Sequence, residues 1–165
     1  MTSLPVSRFG LALSLMILGA PCNAADLSGV PRVIDGDTIV IGETHIRLWG
    51  IDAFETHQQC QKADGAAYDC GWLAKFALDT LVKDQQVNCA DKGHDRYGRT
   101  VAMCSVNGVD LGGFMVRFGQ ALDWPKYSHG YYATEQTDAK ASHRGVWAGS
   151  FEQPWDWRHR ERGHQ

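Results

Sequence analysis

The stretch VIDGDTIVIGETHIRLWGIDAFE, Val33 to Glu55, sets Asp35, Asp37, Arg47, Asp52 and Glu55 among apolar runs that otherwise read as strand. Charges are the side chains a sheet can least easily bury, because each must be paired or neutralised there. Turn residues divide the stretch: Asp35-Gly36-Asp37 separates strands expected at 30–34 and 38–41, and Gly42-Glu43 leads into a third at 44–49. The result is a meander, and two short turns bring the strand ends that carry Asp37 and Asp52 toward one rim.

Two carboxylates at one rim repel unless a cation joins them, and all-oxygen ligation suits a hard ion such as Ca²⁺. Arg47 stands two residues before Trp49, so alternation points both to one face. Taken singly, each residue has a plain reading: Asp-Gly shapes a turn, Arg47 pairs with a carboxylate, and Glu55 is a solvated loop charge. Taken together they supply the parts of phosphodiester hydrolysis, namely a cation, a carboxylate that orients or deprotonates water, and arginines that fork around phosphate. Arg99, in Asp95-Arg96-Tyr97-Gly98-Arg99, is the second arginine, with the Tyr97 ring and hydroxyl beside it.

The remaining pattern places the fold in the α+β class, mainly β. Apolar residues Cys70, Leu73, Ala74, Ala77, Leu78 and Leu81 recur at helical spacing within 66–83. Strands are expected at 86–90 and 100–106, separated by the polar DKGHDRYGR of residues 91–99. Asp110 can cap a helix bearing Leu111, Phe114, Met115 and Phe118 that Gly119 stops, and a last helix is expected at 132–144. Five short strands with about three helices describe a small Greek-key barrel, whose open face commonly binds oligonucleotides.

With 165 residues, 44% of them hydrophobic, the chain has room for one domain with a substantial core. Arg8 precedes an apolar run at 9–20 and small residues follow, which reads as a secretory signal peptide over 1–24; the run is too short for the roughly 20 residues a span needs. The alternative is an uncleaved amphipathic anchor. Cleavage leaves Cys60, Cys70, Cys89 and Cys104 in an oxidising compartment, where proximity favours bridging the first pair and the second pair. A zinc site is the rival, although no C-x-x-C pair occurs. The formal charge of −3 becomes −4 once Arg8 leaves. A protein that coats nucleic acid would be basic, so such a partner must be gripped locally.

VIDGDT, IRLWGIDAFE, DRYGR and VDLGGFMVRFGQA, in this order, resemble the thermonuclease family, of which staphylococcal nuclease is a member. The resemblance extends over about residues 30–147. It implies a five-stranded OB-fold barrel and calcium-dependent cleavage of DNA and RNA that leaves 3'-phosphate ends. By the same resemblance Asp37, Asp52 and the Ala53 carbonyl are the calcium ligands, and Asp35 is an outer carboxylate. Glu55 is the general base or water-orienting group, Arg47 and Arg99 bind phosphate, Tyr97 contacts a terminal phosphate, and Tyr127 matches a base-stacking tyrosine. Where the family often has Thr-Pro, this chain has Ala53-Phe54, so proline's fixed φ is missing from the loop. The segment bearing Cys60 and Cys70 reads as an insertion after Glu55.

The domain so expected spans 25–150, followed by a Trp/Arg-rich tail over 151–165, anchored by tryptophan with a frayed basic end; Trp124 is expected in the core and His57 has no assigned role. A bacterial periplasmic or secreted monomer follows, free of membrane after cleavage, with DNA and RNA substrates and no stable protein partner. Two rivals stay open: a non-catalytic OB-fold module that binds nucleic acid, and a protein of surface-polysaccharide assembly on the same fold.

Overall fold

The computed structural model describes residues 27–163. The leader expected at 1–24 lies outside the described residues. After β1 (Leu27–Gly29), strands β2 (Arg32–Val33), β3 (Thr38–Ile41) and β4 (Thr44–Leu48) form the predicted meander, and β5 (Ile51–Ala53) follows. A hairpin of β6 (Gln59–Gln61) and β7 (Ala67–Asp69) leads into α1 (Cys70–Val82). Next come β8 (Val87–His94), β9 (Thr100–Val106), β10 (Val109–Asp110), α2 (Leu111–Arg117) and β11 (Ala121–Asp123). Helices α3 (Pro125–Ser128), α4 (Ala133–Ala141) and α5 (Pro154–Gly163) complete the chain.

The main sheet runs β1-β8-β9-β4-β3-β2, with β10 added to β9; β4 and β9 pair in parallel and the other pairs are antiparallel. Gly29 of β1 also lies against Ile41 of β3, so the two margins of the sheet curl toward each other. Ile39, Ile46, Leu48, Ala74, Leu78, Val87, Leu111 and Met115 fill the space between the sheet and the helices. Phe54, the Cys60 and Cys70 sulfurs, Leu122 and Val146 make a smaller cluster, against which Phe151 and Trp155 pack.

The α+β class holds, while the five strands and three helices expected become, among the described residues, eleven strands and five α-helices, with a 3-10 turn at Gly145–Ala148. Several extra strands are short. Strand β8 continues through the polar Asp91–His94 run expected as loop, because its backbone still pairs with β9 across a bulge while the side chains face solvent. Helix α1 starts at Cys70 rather than 66, since residues 67–69 pair with β6. Its buried stripe is Cys70, Ala74, Leu78 and Val82, and Leu73 is exposed. Asp110 caps α2 as expected, accepting from the Gly112 and Gly113 amides at 3.1 and 3.3 Å. Helix α4 is shorter than the expected 132–144, and the tail folds as α5 through Gly163 rather than fraying.

Disulfides join Cys60 to Cys70 and Cys89 to Cys104, which leaves no thiolate among them for zinc. The second links directly opposed residues of β8 and β9. Cross-linking constrains the unfolded chain, so replacing Cys89 and Cys104 together by alanine should lower the unfolding free energy by about 2–4 kcal/mol in urea denaturation.

Candidate active site

Register delivers the charges to one place. Thr38 pairs with Arg47 across β3 and β4, which sets Asp37, just before β3, beside the guanidinium. Arg47 forms ion pairs with Asp37 and, at 2.8 Å, with Asp52; it also donates to the Ile51 carbonyl at 3.2 Å. The Ala53 amide donates to Asp37 Oδ2 at 2.7 Å, tying β5 to the turn before β3. Asp35 shapes that turn by accepting from the Asp37 amide at 3.0 Å. Gly36 sits where a Cβ would stand 2.7 Å from the Ala53 Cβ and 2.9 Å from that of Ala74, so only glycine lets the turn lie between β5 and α1.

Asp52 has no exposed surface, and its carboxylate bonds two guanidiniums. The second belongs to Arg158 of α5, whose Nη1 donates to Asp52 Oδ1 at 3.0 Å and whose Nη2 donates to Oδ2 at 2.7 Å. Arg158 Nη1 also donates to Glu55 Oε1 at 2.6 Å. Arg99 is oriented by Asp95 at 2.7 Å and reaches Thr38 Oγ1 at 3.4 Å. Tyr97 is exposed beside it, its ring 5.8 Å from the Arg99 guanidinium carbon.

Burial first, then repulsion from Arg99 and Arg158, lowers the Arg47 pKa, although Asp52 and Asp35 oppose the shift. Burial also works against the charge of Arg158, but bonds to Asp52 and Glu55 outweigh it and raise its pKa. The site thus gathers three guanidiniums among the carboxylates of Asp37, Asp52, Glu55 and Asp95.

Glu55 is positioned from below. Its amide donates to Gln58 Oε1 at 3.2 Å, and Gln58, fully buried, donates from its side chain to the Glu152 carbonyl at 2.7 Å. At Gly71, next to the Cys70 bridge, a Cβ would lie 1.7 Å from the Glu55 carbonyl oxygen. The inserted hairpin, the disulfide and α1 therefore bear directly on this loop.

One cleft of about 960 Å³ is lined by Asp35, Asp37, Arg47, Ala53, Glu55, Tyr97, Arg99 and Tyr127, and Asp52 lies beneath it. Every residue singled out from the sequence for the chemistry is thus brought together. Trp124, expected in the core, instead lines the cleft half-buried, between the guanidiniums of Arg47 at 6.0 Å and Arg158 at 5.5 Å. Trp155 stacks on it with ring centroids 6.1 Å apart. The tryptophan anchor expected of the tail is Trp155, whereas Gln58 and the placing of Arg158 on Asp52 were not anticipated; the signal available was the Trp155-x-x-Arg158 spacing, which sets both residues on one helix face. Arg96, Lys126 and Arg162 also border the cleft, and among the described residues none of them is in an ion pair. His94 and His159 line it too, while His57 lies on the surface outside it.

A family model described as "Staphylococcal nuclease homologue" matches residues 45–149. The chain belongs to this family. The succinoglycan biosynthesis protein ExoI of Rhizobium meliloti (strain 1021) is 35% identical over 84% of this chain and 74% of its own length. An uncharacterized endonuclease of Haemophilus influenzae is 31% identical over 92% of this chain and 84% of its own. A micrococcal nuclease of Shigella flexneri is 27% identical over 95% and 94%. These likenesses support a nuclease of the hydrolase class acting on nucleic acid.

Two outcomes test how this family member builds its site. Gly71→Ala should destabilise the fold by about 1–3 kcal/mol, the usual cost of forced overpacking, and shift the Glu55 amide resonance. Asp95 is pushed up by burial, but the Arg99 side chain and the amides of Arg99 and Tyr97 outweigh this and hold its carboxyl below the usual range. It therefore contributes stability above that range, and this is withdrawn as pH falls through the lower folded value. An NMR titration should find its midpoint under the ordinary value of about 3.9.

Proposed function

We propose that this chain is a calcium-dependent nuclease, periplasmic or secreted, that hydrolyses phosphodiester bonds of DNA and RNA and leaves 3'-phosphate ends. The observation that carries the reading is the convergence of Asp37, Asp52, Glu55, Arg47 and Arg99 on one cleft. Asp37, Asp52 and the Ala53 carbonyl form an all-oxygen set, which fits a hard divalent cation. Among the described residues no three His, Cys, Asp or Glu side chains surround a common point, so two carboxylates, a carbonyl and water would share the ligation. A bound Ca²⁺ would polarise the phosphoryl group and offset its developing charge.

Arg47 and Arg99 would fork around the phosphate oxygens. Glu55, with about a third of its side chain exposed at 32%, stands where it can orient or deprotonate a water for in-line attack, and the 5'-oxygen leaves. Asp35 would act from outside the ligand shell by holding Asp37. Tyr97 would contact a terminal phosphate and Tyr127 would stack on a base, since both rings are exposed in the cleft. The curled sheet supports the OB-fold reading, and two disulfides support an oxidising compartment. We take the working form to be a monomer without a stable protein partner. The likeness to ExoI, a succinoglycan biosynthesis protein by name, favours as the second reading a protein of surface-polysaccharide assembly on the same fold.

Incubation with single-stranded DNA at alkaline pH should give cleavage with Ca²⁺ and none with chelator, with 3'-phosphate at the new ends. Arg47→Ala, Arg99→Ala and Glu55→Gln should each lower turnover about 10²- to 10³-fold while leaving the chain folded. Full activity in all three variants would sink the mechanism. DNA that is retained but left intact would favour the binding module, and turnover confined to pyrophosphate-linked or sugar substrates would favour the polysaccharide-assembly reading.

A further inference from the structure

Asp52 already has a cation. Oδ1 accepts from Arg47 Nη2 at 2.8 Å and Arg158 Nη1 at 3.0 Å, and Oδ2 accepts from Arg158 Nη2 at 2.7 Å. Both oxygens are thus engaged, and Arg158 further closes on Glu55 at 2.6 Å. Forked, charge-assisted contacts of this kind are among the stronger hydrogen bonds a protein makes. Guanidinium protons hold three of the roughly four lone-pair positions of Asp52, so a divalent ion ligated there has one left and stands against two positive charges.

The two guanidiniums are not equally free to yield. Arg47 is 11% exposed, sits in β4 between two strands, and also holds Asp37 and the Ile51 carbonyl. Arg158 is 28% exposed and belongs to α5 at the rim of the cleft. Its helix is seated independently of it, by Trp155 stacked on Trp124 and by the segment leading into it, where Phe151 lies edge-on to Phe54 at 5.4 Å and the Glu152 carbonyl accepts from Gln58. The side chain can therefore leave the carboxylates while the helix stays docked.

We propose that Arg158 is the resident cation of the Asp52–Glu55 pair and the group that a divalent cation displaces, so that this residue sets the affinity of the site for the metal. The proposal rests on the reading of Asp37, Asp52 and Ala53 as a divalent-cation site. Displacement and metal binding are linked reciprocally: whatever strengthens the Arg158 contacts weakens the metal, and the metal weakens those contacts by the same factor. Arg158 acts through the two carboxylates, and is a positioning residue.

Calorimetric titration of the full chain with Ca²⁺, without nucleic acid, tests this. Arg158→Gln keeps bulk and removes the charge, and should tighten Ca²⁺ binding by about tenfold or more, within the usual range of coupling between sites. Arg158→Lys keeps the charge but loses the fork, and should fall between. Equal or weaker binding by Arg158→Gln would overturn the proposal and leave the calcium reading standing. Ca²⁺ bound by none of the three proteins would overturn the calcium reading and the proposal with it. A second readout uses the unaltered chain: in NMR of the arginine guanidinium groups, Ca²⁺ should release the Arg158 signals from their ion-paired state. Arg158 signals that stay unchanged at saturating Ca²⁺ would overturn the proposal.

Discussion

Asp52 is a carboxylate with no contact to solvent, and the rest of the site is arranged around pairing it. Leaving such a group unpaired costs about 3–5 kcal/mol, so the fold must bring cations to it from somewhere. One comes from the neighbouring strand and the other from 106 residues further along the chain. The first demand fixes the register of β3 on β4, because a slip of one residue would turn Arg47 to the opposite face. The second fixes the seat of α5, and so gives the Trp124–Trp155 stack and the buried amide of Gln58 a purpose beyond packing.

Around Asp52 the two guanidiniums share carboxylates. Arg47 pairs with Asp37 and Asp52, and burial together with its two arginine neighbours lowers its pKa, while bonds to Asp52 and Glu55 raise that of Arg158. One carboxylate therefore serves two cations of unequal exposure. A further cation entering there would compete with both, and would meet the more exposed Arg158 at the rim.

Much of this was legible in the sequence because the relevant contacts are local. The meander, the turn at Asp35-Gly36-Asp37, and the placing of Arg47 and Trp49 on one face all follow from alternation over some twenty residues, and both line the cleft. The Asp110 cap and the two short-range disulfides were readable for the same reason. What escaped were features decided by tertiary contact. Asp91–His94 is polar enough to read as loop, yet pairing with β9 makes it strand. Trp155-Asp156-Trp157-Arg158 has the composition of a solvated tail, and only the fold reveals that Arg158 meets Asp52. Gln58 gave no signal at all, since a buried glutamine is recognisable only by what it bonds.

The chain as a whole is acidic at −3, whereas Arg96, Lys126 and Arg162, which have no ionic partner among the described residues, stand along the rim of a single cleft. A strand of nucleic acid lying there has few of its phosphates neutralised, and so sheds few condensed counterions when it binds. A strand gripped through so few contacts would lose only a modest part of its affinity as salt is raised, and would be held by the cleft rather than by the protein's charge as a whole.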